Sequence, residues 1–326
     1  MVPQSSLLVA LVDVIDLIPS PAAKVQGGSR GGRPPVDSDR LFLKALVIML
    51  VRNVSTVSGL LAIPEQPTWE MQALRTRLTE HGHFPSRRTW ERRLATLPSS
   101  LPDRIGCLGR HLVDLLDPWA AGGRAVAIDS TVLRARGGVW HKKHRDAGVV
   151  PHTSIDTEAG WTKSGWHGWV YGWKLHLATT VAAVWIPLAA ELTPANTADN
   201  EPAPRLLDEL PFAVGVVLGD THYNDPAVRD HCAGTGRLLV ATRRGPYPHT
   251  DAGVEVRRLF HQLRTHAIEN FNGQFKGIFD AHGAVPTRGL ARTRRFALGA
   301  VFLYQAALLY RFEHQQDLRV GLKAFL

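Results

Sequence analysis

The chain has 326 residues, 44% hydrophobic and 21% charged, with a formal net charge of +9 at pH 7. That length holds one large domain or two ordinary ones, the composition excludes a wholly disordered chain, and the basic excess points to a polyanionic partner, nucleic acid or an anionic membrane surface. The two cysteines, Cys107 and Cys232, form no C-x-x-C pair, which argues against a zinc ribbon or a disulfide framework and fits a reducing cytosol.

Leu7, Leu8, Leu11, Ile15 and Leu17 fit a short amphipathic helix. The run has no basic leader and is interrupted by Asp13 and Asp16, so it does not read as a signal peptide. No stretch is long and apolar enough to span a bilayer, and no membrane partner is expected. Residues 20–35, SPAAKVQGGSRGGRPP, are a flexible basic linker in which Lys24, Arg30 and Arg33 suit phosphate contacts, a plain linker being the alternative. From Asp37 to Leu116 the pattern is helical. Leu41, Leu43, Ala45, Leu46, Ile48 and Leu50 mark a buried helix, Pro64 and Pro67 punctuate, and Trp69–Leu78 forms a second. Ser86 is a good N-cap for a third, where Trp90, Leu94 and Leu97 face a core and Arg87, Arg88, Arg92 and Arg93 crowd the other faces. Such an arginine-rich helix suits a DNA groove, a solvated basic face being the alternative. Ile105–Leu116 makes a further helix.

Past the loop at 118–123 the character changes. AVAIDST (125–131) reads as a strand, and Tyr171–Val181 and Val184–Leu192 as an antiparallel hairpin. A helix over Asn200–Leu210, a buried strand over 214–220, a helix over Pro226–Ala233 and a strand over 237–244 follow, then long helices over Val256–Phe279 and Thr293–Glu313. That order predicts an α/β domain with a mixed sheet and helices on both faces. The expected organisation is an N-terminal helix and linker (1–35), a helical DNA-binding domain (36–120), a catalytic domain (121–312) and a tail (313–326).

Two carboxylates stand where ligand sites form in such sheets, at strand ends: Asp129 and, closing VVLGD, Asp220. A buried pair of this kind repels itself unless it shares a proton or a cation, and oxygen-only ligands favour magnesium or manganese. A third carboxylate would complete a two-metal site, and Glu269 in RTHAIENFNGQFK is the natural donor. His266 and Lys276 share its helix face at helical spacing. Singly, each acid has a plainer reading, a turn or cap for the aspartates and a solvated side chain for the glutamate.

The segments AIDST, GDTHYND and IENFNGQFK, in that order, resemble the DDE transposases of bacterial insertion sequences. GWKLHL (172–177), LTPANTADN (192–200) with Asp199, the spacing from Glu269 to Lys276 and the GRPP–Asp37–Arg40 start resemble further family pieces. The resemblance implies a ribonuclease H-like core with a mixed five-stranded sheet, the first Asp on the first strand, the second after the fourth, and the Glu on a later helix. It implies Asp129, Asp220 and Glu269 as catalytic residues holding two divalent ions, Mg2+ or Mn2+, which cut DNA at an element's terminal repeats and join it to a target by in-line phosphoryl transfer. A dimer when DNA ends are brought together and a cytoplasmic, nucleoid-associated location go with that activity. The residues read as DNA contacts are Arg87, Arg88, Arg92, Arg93, Lys142, Lys143, Lys174, Arg243, Arg244, Arg264 and Lys276. Two positions depart from the pattern: its Arg, four before the Glu, is here Thr265, with Arg264 one place earlier, and its Tyr position is Gln262. The shift bears on phosphate contacts by Arg264, not on the Glu. The alternatives are a metal-dependent nuclease of the same fold and a domesticated DNA-binding protein without catalysis.

The segment 134–170 reads as a mobile DNA-gripping loop carrying Arg134, Arg136, Lys142, Lys143 and Arg145. His141 and His144 lack the partners of a zinc site. Trp161, Trp166, Trp169 and Trp173 read as core or loop anchors, Tyr247 or Phe260 as the places for any base stacking, and His176 as a core histidine. There is no P-loop and no G-x-S-x-G setting, so neither ATP use nor acyl transfer is supported.

Overall fold

The computed structural model describes residues 6–21, 37–117, 124–165, 168–241, 251–279 and 283–318, with backbone only at 251–257 and 266. Most of the basic linker, Trp166, Arg243, Arg244, Tyr247, the His266 side chain and the end of the tail lie outside those residues.

The helices that precede the sheet are α1 (Leu7–Val14), α2 (Asp39–Val51), α3 (Val57–Ala62), α4 (Trp69–Arg77), α5 (Arg87–Thr96) and α6 (Leu101–Leu116). The first five start on Ser6, Ser38, Thr56, Thr68 and Ser86, each hydroxyl accepting from a backbone N–H of the first turn. Trp90 of α5 is fully buried and meets Phe42 edge-on at 5.0 Å between ring centroids. That packing turns Arg87, Arg88 and Arg92 to solvent, while Arg93 pairs with Asp39 and lies 4.7 Å over the Phe42 ring.

The sheet contains β1 (Ala125–Arg134), β2 (Gly160–Ser164), β3 (Gly168–Thr180), β4 (Pro187–Pro194), β5 (Val216–Gly219) and β6 (Leu238–Ala241). β1, β3 and β4 pair antiparallel, and β1, β5 and β6 parallel. The core order β4-β3-β1-β5-β6 is the ribonuclease H-like arrangement expected, with Asp129 on the first core strand and Asp220 just past the fourth. The sheet has six strands rather than five. The extra strand, β2, pairs with the start of β3 on the edge that β4 takes over one residue later. It falls inside the segment expected to be a loop, which also forms a short helix, α7 (Lys142–Asp146). Within that segment Trp161 donates to the Trp140 carbonyl at 2.8 Å and packs on Tyr171, a loop anchor as expected.

The remaining helices are α8 (Ala203–Asp208), α9 (Pro226–Gly234), α10 (Asp251–Arg264), α11 (Asn270–Ile278) and α12 (Leu290–Glu313). The single helix expected over 256–279 is instead α10 and α11 joined by a π-turn at Thr265–Glu269. Buried α12 touches α1, α2, α6 and β4, so the N-terminal helices and the sheet share one core. Gln305 on α12 donates to the carbonyls of Ile105 (2.9 Å) and Pro187 (2.7 Å), tying α6 to β4. Gly109 permits that approach, since a Cβ there would sit 2.6 Å from the Pro187 oxygen.

Candidate active site

Ala127 on β1 pairs in register with Leu218 on parallel β5. Asp129 and Asp220 each lie two residues further on, so they point to the same sheet face at the same height, one inter-strand spacing (about 4.8 Å) apart along the backbone. Asp129 is 16% exposed, and its Oδ1 accepts from the Ser130 N–H at 2.8 Å. Burial pushes its carboxyl up to about 6, opposed by Arg264 and reinforced by Asp220 and Asp199. Asp220 accepts from the His222 N–H at 2.8 Å, and its other oxygen lies 3.0 Å from His222 Nδ1. It thus caps the turn Thr221–Tyr223 as well as facing Asp129.

Glu269 arrives on the π-turn, half-exposed. The π-turn accounts for the displaced arginine. On an α-helix, residues four apart share a face, and one inserted residue would swing Arg264 away from Glu269. A π-turn bonds i to i+5 and absorbs one extra residue, so Arg264 returns to the face of Glu269. Its Nη2 lies 2.8 Å from Asp129 Oδ2 and its Nη1 3.5 Å from Glu269 Oε1. The guanidinium bridges sheet and helix. Asp129 and Asp220 are therefore neighbours, while Glu269 reaches them through Arg264. Among the described residues no three acidic, histidine or cysteine side chains converge as a ready-made metal-ligand group.

The residues matched by the family described as "Transposase DDE domain" run from 120 to 305, more than half of the chain, and include all three carboxylates. The chain belongs to the transposase DDE domain family. No curated protein sequence matches it. Among solved structures it is similar to a piggyBac transposase synaptic complex with hairpin DNA (9% identity, TM-score 0.40, 99% of this chain and 76% of that one). It is also similar to a pre-cleavage Mos1 transpososome (14% identity, TM-score 0.22, 90% and 81%).

Asp129 and Asp220 of this DDE domain open into a cleft of about 1040 Å³, also lined by Lys163, Lys174, Asp199 and His222, whereas Glu269 is not part of its lining. Of these, Lys163 is placed by β2, which the sequence did not show, and His222, inside GDTHYND, by the turn after Asp220. Lys174, read as a DNA contact, is spent internally: its Nζ lies 2.9 Å from Asp199 and donates to the Thr197 carbonyl at 3.0 Å. Lys276 is half-buried beside Arg134, and its amine is held below the usual lysine range by burial first and Arg134 second. Lys142 and Lys143 are exposed on α7. No described helix is long and apolar enough to cross a membrane.

His176 is the core histidine expected, fully buried with Nε2 2.8 Å from Thr193 Oγ1. Burial pushes it down to about 4, with Asp199, 3.9 Å away, opposing. Its folded value lies below the unfolded one, so the unfolded chain takes up the proton first, and stability present above about pH 6.5 is lost as pH falls. In urea titrations, wild type should lose about 2 kcal/mol relative to His176→Gln between pH 7 and pH 5. A difference that stays constant over that range refutes the assignment.

Proposed function

We propose that the chain is a DNA transposase that cuts DNA at the ends of its element and joins those ends to a target. The observation that supports this best is the register-matched pair Asp129 and Asp220, each two residues past the last paired residues of adjacent parallel β1 and β5, linked to Glu269 by Arg264. The donor set fits a hard divalent ion: all ligands are carboxylate oxygens, and Asp129 is a buried acid whose ionisation a cation would favour. Asp129, Asp220 and Glu269 would hold two Mg2+ (or Mn2+) ions, which when bound supply charge stabilisation of the phosphoryl group and an activated nucleophile.

The chain's own groups do the rest. Arg264 holds Asp129 and Glu269 together across two elements and offsets their charge. Residues 36–120 would bind DNA through Arg87, Arg88 and Arg92, which are exposed on α5, and the exposed Lys142 and Lys143 on α7 would hold the DNA backbone. Two such chains would bring two DNA ends together, in the cytoplasm on the nucleoid.

The test uses purified protein, Mg2+ and a plasmid carrying the DNA that flanks the gene. Cuts leaving 3′-OH ends, and joining of pre-cut ends to a second plasmid, are the expected products. Cutting without joining indicates the nuclease of the same fold. DNA binding with neither product in Mg2+ or Mn2+ overturns the enzyme reading.

A further inference from the structure

Away from the carboxylates, a cleft of about 840 Å³ opens between the N-terminal helices and the start of α12. Its lining includes Arg87 from α5, Arg136 from the segment beyond β1, Arg288 from the turn before α12, and Arg292 and Arg295 from the first turns of α12. Arg292 and Arg295 stand at i and i+3 on one helix face. The acids nearby are already engaged, Glu91 by an arginine of the cleft itself. Glu91 pairs with Arg87 at 2.9 Å, Asp156 accepts from the Gly289 N–H at 2.8 Å, and Glu158 accepts from the Leu290 N–H at 3.0 Å.

Arg136 and Arg288 each donate to a single backbone carbonyl, of Pro286 (2.7 Å) and Thr153 (2.6 Å). Arg295 is 9% exposed and meets only the carbonyls of Leu94 (3.4 Å) and Ser55 (2.9 Å). Among the described residues, none of Arg136, Arg288, Arg292 and Arg295 has a carboxylate partner. Taking charge out of water without a counter-charge is costly. That cost falls on buried Arg295, while Arg136, Arg288 and Arg292 are exposed at the cleft with their charge unpaired, and an anion of several charges would complete the site.

We infer that this cleft is a second DNA site, in which Arg136, Arg288 and Arg292 grip the phosphate backbone of duplex DNA outside the carboxylate cleft. The inference rests on the transposase reading for its choice of DNA as the polyanion. β1 connects the two places: from Asp129 the chain stays extended to Ala135, whose N–H donates to the Tyr171 carbonyl at 3.0 Å. At about 3.3 Å per residue that path covers roughly 20 Å, or about six base-pair steps of a duplex. A duplex held at the carboxylates is thus long enough to span the distance to the arginine cleft.

The test measures binding of a labelled duplex about 30 base pairs long, of arbitrary sequence, across a salt series without divalent ions. It is run in wild type, Arg292→Gln, Arg288→Gln, the double variant and Arg205→Gln. Arg205 lies on α8, paired with Glu191 and outside this cleft, and controls for the lost net charge. Each cleft variant should make the slope of log K against log salt shallower by about 0.9, so that the affinity drop from about 50 to 200 mM salt shrinks roughly 3.5-fold per contact. Arg205→Gln should keep the wild-type slope.

Arg292 has no hydrogen-bonded partner among the described residues, so its variant keeps the fold, checked by an unchanged melting temperature. Wild-type slopes in both single variants, or an equal loss in Arg205→Gln, overturn the site. Tighter binding of a duplex RNA of the same length, with the arginine dependence confined to it, overturns the choice of DNA. If slopes change as expected but the wild type cuts no DNA, the transposase reading fails and the site stands. If DNA is cut and slopes do not change, the reverse holds.

Discussion

Asp129→Asn and Asp220→Asn each lower DNA cleavage by more than about a hundredfold while duplex binding stays within about twofold of wild type. Partners that only orient a metal ligand cost 10–100-fold when removed, so loss of a ligand itself should cost more. The shapes are nearly unchanged. Asn keeps an oxygen for the Ser130 N–H at position 129 and for the His222 N–H at position 220, so local backbone and fold persist. What is lost is negative charge at the matched positions, and in the function proposed above duplex binding rests instead on arginines away from the carboxylates, among them the exposed arginines of α5. Gel assays of cleavage and anisotropy measurements of binding check the two halves. Cleavage within tenfold of wild type in either variant removes that aspartate from the site.

The parts legible in the sequence were those set by long apolar patterning and by local motifs. Buried β1 and the capped α5 are of that kind, as is the placement of Asp220 at a strand end; Asp129, expected near the end of a strand over 125–131, lies mid-strand because β1 runs on to Arg134 against β3, and only its pairing with β5 stops before Asp129. β2 was hidden because GWTKS is five residues long and too polar to show which face is buried. Lys174 looked like a free cation because its partner Asp199 lies on a turn beyond β4, and only the β3–β4 pairing brings them together. The arginine cleft draws on α5, the segment after β1 and α12, three elements that meet only in the fold. The π-turn had a trace, the one-residue slip between Arg264 and Glu269, because helical periodicity cannot distinguish an inserted residue from a misplaced side chain.

That slip yields the sharpest expectation. Arg264→Ala lowers cleavage about 100-fold, the upper range for a group that orients metal ligands, because it removes the link between Asp129 and Glu269. Arg264→Lys recovers part of the loss, since a lysine keeps the charge but not the fork that spans two carboxylates. Burial alone does not explain such an effect, and the deletion of Thr265 tests the geometry directly. Removing one residue converts the π-turn to an α-turn. Arg264 then stands four residues before Glu269 and stays on its face, and the flanking helices α10 and α11 keep their orientation. The deletion variant should therefore cleave within about tenfold of wild type, whereas inserting an alanine after Thr265 should match Arg264→Ala. A folded deletion variant as inactive as Arg264→Ala would show that the π-turn does more than restore register. An insertion variant with full activity would show that the Arg264–Glu269 contact is not needed.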